Sequence, residues 1–371
     1  MPSGTGASTL SMLPDVPFSV DPARFMMLTE RNEQPLDAIP TPGPASQSTF
    51  YLPKSGVASK LELVFTGTLT VTAAGTGQTQ PTPSPRWPYG LLGGFKLGAG
   101  LGAELWDCDG LDLASLIHVN HPFFNEMVDL YPGGFMGSGG ALAPGNYPVY
   151  LTYEVPLSVD QVSLVAALFL QSSSANVAGQ ILQAPMSDLI VAGGTTALWS
   201  ISGSWIPKLT TWSIPVDQKG GLVLPDINHV HIGAGIRQPL LGTGRQPAAV
   251  QRTAGVLQRL FLRVENTRTS FLGAGPSFAA ASSIDQVQIN YGLTQTPLIF
   301  NPAALLASRN GRDYGQPLPY DTYVYDTVRE NPARDAIILQ GVTELKALVY
   351  PDPAVAVQPG AAVRLFEEIL I

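Results

Sequence analysis

The side chains best equipped for chemistry crowd into one stretch, Glu104-Leu-Trp-Asp107-Cys108-Asp109-Gly-Leu-Asp112. Closely spaced carboxylates suit a hydrolase pair, one acid and one base, or an oxygen cage for calcium. Asp107-x-Asp109-Gly110 matches only the start of a calcium loop. Leu111, Leu113 and Ala114 fill the later ligand positions and no Glu closes the loop, so the cage fails. The aspartates are therefore expected at a turn between two strands. His229 and His231 stand two apart and on a strand would share a face, a spacing that His118 and His121 lack. With no third ligand beside them they read as ordinary hydrogen-bonded imidazoles at a junction, not as a zinc site. Cys108 is the only cysteine, which excludes an internal disulfide and a cysteine-based zinc site.

Other motifs fall short as well. Gly203-Ser-Trp205 lacks the second glycine of a nucleophile elbow, and Gly137-Ser-Gly-Gly140 sits in a loop. Gly93–Gly98 and Gly242-Thr-Gly244 are not followed by the Lys-Ser/Thr of a phosphate loop. Trp87, Trp106, Trp199, Trp205 and Trp212 all precede Asp217. They could line a sugar groove, but aromatics of this kind are more often core or interface anchors. The expectation is no catalytic residue, no cofactor and no metal.

The elements that would position such groups are almost all strands. At 371 residues the chain suits two domains, and 45% hydrophobic content is ample for two cores. Only 13% of residues are charged, about half the usual share, so much of the surface is expected to be covered by neighbours in an assembly. The 38 glycines and 33 prolines follow no short period and read as turns. Residues 1–215 carry 7 basic and 15 acidic groups, residues 216–371 carry 13 of each, and the net charge is −8. No Lys/Arg-rich run exists, so direct nucleic-acid binding is not expected. Residues 1–14 lack a signal-peptide pattern. The longest apolar run, Val162–Leu170, is about half a membrane span, so a soluble chain made in the cytoplasm is expected.

Residues 1–47 read as an N-terminal arm, 48–216 as one β-barrel and 217–371 as a second. In the arm, Asp21 is placed as N-cap, Pro22 as the first helical residue and Arg24–Glu30 as the body. Phe25, Met26, Met27 and Leu28 would dock this helix on something apolar. Removing residues 1–30 is then expected to leave trimers intact but to impair their further assembly. Lys60–Thr72 is the clearest strand, with Leu61, Leu63, Phe65, Leu69 and Val71 alternating with polar residues. Leu91–Leu97, Glu104–Val119, Tyr147–Val155, a strand entered by a helical turn within Val159–Gln171, Val177–Ile190 and Leu198–Ile206 follow. Residues 73–85 and 120–146 read as long loops. In the second half the strands are His229–Ile236, Val256–Glu265, Ile284–Tyr291, Thr322–Val328, Ala336–Leu348 and Ala361–Ile371. Leu260, Leu262 and Val264 should face in, and Arg259, Arg263 and Glu265 out. A short helix is expected after Asn301, stopped by Asn310-Gly311. Arg237, Arg245 and Arg252 share one Gly/Pro-rich stretch, which reads equally as a solvated loop or as a contact with the acidic first half of a neighbouring subunit.

Several of these segments, in order, resemble the double jelly-roll major capsid proteins of tailless icosahedral double-stranded DNA viruses, of the bacteriophage type. They are Lys60–Thr72, Trp87-Pro-Tyr-Gly-Leu-Leu92, Glu104–Leu113, Tyr153–Leu157 leading to Ala167–Gln171, Gly255–Asn266, Ile289–Gly292, Gly315–Pro319 before Tyr323–Asp326, and Thr343–Leu345. The resemblance implies an all-β chain of two tandem eight-stranded jelly rolls, with short helices in loops. It implies a homotrimeric, pseudo-hexagonal capsomer, in contact with neighbouring capsomers and penton or minor capsid proteins. It also implies a virion location and an inward arm that touches either an internal membrane or a neighbouring trimer. Two other readings stay open: a two-domain carbohydrate-binding protein or glycoside hydrolase, and a minor capsid or spike protein.

Overall fold

The computed structural model describes residues 17–371 apart from 41–45, 100–102, 122–141, 172–175, 191–195, 251–253, 268–269, 272–283, 292–297, 316–317, 319–321, 330–336, 341–344 and 354–355. Each half of the chain forms two sheets. In the first half, Gly145–Pro156, Val57–Val71, Trp199–Trp212 and Arg31–Pro35 make one of them, in that order. In the second, Gln246–Ala249, Leu345–Pro351, Ile284–Tyr291 and Leu298–Phe300 do the same. The remaining sheet is common to both halves. Gln47–Tyr51, Val177–Gln183, Leu92–Ala99 and Ala103–Cys108 continue directly into His231–Pro239, Ala362–Leu370 and Val256–Thr267, which Thr322–Asp326 flanks. The join is a parallel pairing of Gly233 with Trp106 and Ala234 with Asp107. The result is two eight-stranded barrels fused edge to edge.

Strand alternation builds each core. Leu61, Leu63, Phe65, Leu69 and Val71 are buried as expected, with Phe65 against Trp205 at 5.0 Å between ring centroids. Leu260, Leu262 and Val264 lie in the core of the second barrel.

Several expectations need correction. Glu104–Val119 is not one strand: Ala103–Cys108 is a strand and Gly110–Asn120 is a helix. Asp109 is its N-cap, accepting from the backbone N–H of Leu111 and Asp112, while Asp112 accepts from the N–H of Asp109. This reciprocal cap satisfies donors that a turn between strands would leave free. The helix after Asn301 runs Ala304–Tyr314, through Asn310-Gly311 to Gly315 at φ 76°. Asn310 does not stop it, because its side chain donates to Val324 O (2.7 Å) and accepts from Val324 N (3.0 Å). Within Val159–Gln171 only Leu168–Phe169 is strand, and Leu164 and Ala166 take positive φ in the preceding turns.

The described part of the arm is not free. Phe18–Val20 pairs in parallel with Leu222–Leu224, and Arg31–Pro35 and Ile39–Pro40 add to Trp199–Trp212. Asp21 caps the helix Pro22–Leu28 through Arg24 N at 3.0 Å. Phe25 is fully buried among Val57, Leu164, Phe169, Val223 and Leu224. It belongs to the chain's own core, so removing residues 1–30 would also take Phe25 out of that core.

Candidate functional site

The carboxylates singled out from sequence separate into two environments. Glu104 and Asp107 stay at the surface, both paired with Lys96, at 2.9 and 3.1 Å. Asp109 and Asp112 are carried by the helix Gly110–Asn120 into the seam between the barrels.

The second barrel meets that helix with a patterned sheet face. Arg237, Arg364 and Arg263 lie directly opposite one another on adjacent strands. Gly235, Phe366 and Phe261 form the next row, then Gly233, Glu368 and Arg259. The face therefore reads charged, aromatic, charged. Like charges directly opposite repel, so the arginine row needs anions, and the first half supplies them. Arg263 binds Asp109 at 2.6 Å and Asp112 at 2.9 Å, and Arg364 binds Asp112 at 2.7 Å. Glu265, one row further along, lies beside Arg86 at 3.1 Å, Arg237 at 3.0 Å and Arg263 at 3.3 Å.

Arg263 and Glu265 were expected to face water. They do point away from their own barrel's core, but the first barrel covers them and leaves 2% and 1% exposed. Burial raises the Asp109 carboxyl, yet Arg263, Arg364 and Arg86 outweigh it and hold the group well below the usual carboxylate range. Burial and the Asp109 charge move Asp112 the other way, against Arg364 and Arg263. The Arg263 and Arg364 guanidiniums are desolvated, and their carboxylate partners more than offset this, pushing both above the ordinary value.

In the aromatic row, Trp106 packs edge-on against His231 at 5.4 Å and near Phe366 at 6.1 Å. Gly233 makes room for it, since a Cβ there would sit 2.2 Å from the indole ring. In the third row, Glu368 accepts from Arg259 (2.9 Å) and faces His231 Nε2 (2.8 Å), while Arg259 also donates to Asp326 (3.0 Å) and Asn120 (3.1 Å). Burial raises the Glu368 carboxyl, but Arg259 and His231 reverse this and hold it at about 2.

The other sequence candidates lie apart from this seam or are used by it. His229 precedes the strand His231–Pro239 and lies beside Asp226 at 3.6 Å. His118 Nδ1 is 2.8 Å from Ala114 O on its own helix, and burial pushes its imidazole down. Arg237 is occupied within the chain, by Glu265 and by Gly360 O at 2.7 Å, so it is not free for a neighbour. Arg245 is exposed, and Arg252 and Gly137–Gly140 lie outside the described residues. Met27 is 77% exposed and Leu28 is half exposed, while Met26 packs partly against the core around Phe25. Trp87, Trp106, Trp199 and Trp205 are buried, so they form no sugar platform. Among the described residues no group of His, Cys, Asp or Glu could hold a metal. No described helix is long and apolar enough to cross a membrane.

Sequence reasoning missed Arg86, Arg259, Arg263, Glu265, Arg364 and Glu368. For all but Arg86, which lies in a turn before Trp87, the one signal was charged residues two or four places apart along two strands otherwise rich in Leu, Val and Phe.

Two eight-stranded barrels in tandem, fused through a shared sheet, define a double jelly roll. No family model and no curated protein matches the chain. Among solved structures it is similar to the major capsid protein of Sulfolobus turreted icosahedral virus, with a TM-score of 0.68 at 14% identity over 92% of this chain and 97% of that one. It is also similar to the capsid of the virus PBCV-1, with a TM-score of 0.60 at 9% identity over 92% and 93% of the two chains. The Faustovirus major capsid protein gives 0.52 at 8% identity, over 92% and 90%. The chain thus has the fold of the double jelly-roll major capsid proteins.

Proposed function

We propose that this chain is the major capsid subunit of an icosahedral virus and works by tiling, without catalysis or a cofactor. The observation that carries the reading is the fused pair of barrels, which agrees with viral capsid subunits over almost the full length of both chains. The seam adds a physical reason. A tile must keep its two barrels in fixed register, and a buried lattice of charge pairs penalises any other register through unpaired charges.

In this reading three copies form a pseudo-hexagonal capsomer, each barrel standing for one side, and capsomers meet one another and penton or minor capsid proteins in the shell. Weak contacts suffice there, because the lattice multiplies them. The low charge content agrees with surfaces covered by neighbours. Arg245 remains available to pair with the acidic first half of an adjacent copy, and Arg252 is proposed with it. Met27 and Leu28, exposed beside the anchored Phe25, touch a neighbour or an internal membrane.

Electron microscopy of the purified chain, with its mass from light scattering, tests the reading. Trimers of pseudo-hexagonal outline, or closed shells, are expected, and a strict monomer at every concentration would contradict it. Met27→Ser with Leu28→Ser is expected to leave trimers intact and reduce shell or membrane attachment.

A further inference from the structure

The barrels leave an open cleft of about 350 Å³ between them, at the end of the seam where the helix Gly110–Asn120 stops. One residue of its wall is out of register. Leu257 pairs with Ile369 and Arg259 with Glu368, so Gln258 is the extra residue of a β-bulge. The bulge places Gln258 in the cleft wall, with 7% of it exposed. Its backbone carbonyl accepts from Thr327, but its side-chain amide has no hydrogen-bond partner among the described residues. A nearly buried amide without a partner carries a cost, which a bound group would remove.

The cleft is also short of positive charge. Glu154, Asp160 and Glu368 line it against Arg259. Behind this lining Lys60 is answered by Glu62 at 2.7 Å. Asp326 is answered by Arg329, which stacks on Tyr314 at 4.8 Å and donates its backbone N–H to Asp326. The imidazoles of His121 and His231 complete the set, and as neutral rings they leave the negative surplus intact. The C-terminal carbonyls of the helix Gly110–Asn120 add negative potential at the same end. The spare capacity lies on Glu154. Asp160 accepts from Val162 N at 2.7 Å and from Ser163, and Glu368 is taken by Arg259 and His231. Glu154 has only Lys60 at 3.6 Å and His121 at 3.7 Å, both beyond hydrogen-bond reach. Among the described residues these acids form no metal-holding group, and the space suits a small organic group better than a bare ion.

We propose that this cleft binds an organic cation, an ammonium or guanidinium group on an alkyl stem. Glu154 is its counter-ion, the side-chain carbonyl of Gln258 is a second acceptor, and Pro156, Val159 and Val328 cover the stem. Two sources carry that chemistry: a lysine or arginine side chain of another polypeptide, and a free polyamine. Either one bridges the barrels, because Glu154 belongs to the first and Gln258 to the second.

Calorimetric titration of the full chain with cadaverine tests this at about pH 8, where ordinary imidazoles are neutral. Saturable binding is expected, and none of the uncharged diol of the same length. Glu154→Gln and Gln258→Leu should each weaken cadaverine binding about tenfold or more. Gln258→Leu gives up no hydrogen bond to a described residue, so it keeps the test readable if Glu154→Gln fails to fold. Glu104→Gln, which alters a surface carboxylate outside the cleft, should leave binding unchanged. Spermidine and a lysine capped at both backbone ends separate the sources. A site for a protein side chain takes the capped lysine as readily as cadaverine, whereas a polyamine site takes spermidine more tightly and the capped lysine poorly. Absence of saturable binding by all three amines, equal binding to the native chain and both cleft variants, or an equal loss in Glu104→Gln would overturn the proposal.

Discussion

The interior of each barrel and the seam between the barrels are both buried, yet only the seam sets rows of charge on either side of its aromatic contacts. Inside the first barrel Phe65, Leu69, Tyr153 and Trp205 interlock through shape. In the seam, Arg263, Arg364, Asp109 and Asp112 interlock through charge. An apolar core tolerates small slips, because one methyl group packs much like another. A charge lattice does not, because a shift of one residue exchanges partners for repulsion. The cores therefore make the barrels, and the seam sets how one stands against the other.

The sharpest way to break this contrast is Arg263→Met, which fills the space but strips Asp109 and Asp112 of a shared partner. The expected loss is about 3–5 kcal/mol, read by denaturant unfolding. Phe65→Ala should cost a similar amount, also about 3–5 kcal/mol. The two should differ in kind: proteolysis of the Arg263 variant should release separated barrels, whereas Phe65→Ala should expose the first barrel itself.

Acid gives the next largest effect. The folded Glu368 carboxyl lies at about 2 against an ordinary 4.5, so its contribution is full above about pH 4.5 and lost as the pH falls towards 2. Up to about 3 kcal/mol is at stake, and Glu368→Gln should flatten the acid limb of a stability–pH curve. Asp109 and Asp112 cannot give so clean a signal, since one is displaced down and the other up. Gly233→Ala should cost about 1–3 kcal/mol by driving a methyl into Trp106, visible as a lowered Tm and a changed Trp106 fluorescence. The smallest effect is expected from Lys96→Ala. Its pairs with Glu104 and Asp107 are half exposed, and the change should stay within about 0.5 kcal/mol.

The contrast also explains what could be read from sequence. Alternation exposed Val57–Val71, because one face is core and the other is polar. It also assigned Arg263 and Glu265 to the face away from Leu262 and Val264. It could not show that a second barrel covers that face, since Arg263 and Asp112 are 151 residues apart. Gly110–Asn120 was misread because it is buried nearly all round and shows no apolar stripe. The local clue was there, in the aspartates three apart that cap it. Phe25 was recognised as apolar and ready to dock, but nothing local told that its dock was its own chain.

Scanning calorimetry of the full chain tests most directly whether the seam makes the two barrels one block. The account predicts a single transition in the native chain, with calorimetric and van't Hoff enthalpies in agreement, that splits into two in Arg263→Met. Two separate transitions already present in the native chain would contradict it, and the barrels would then be independent domains that happen to share a sheet.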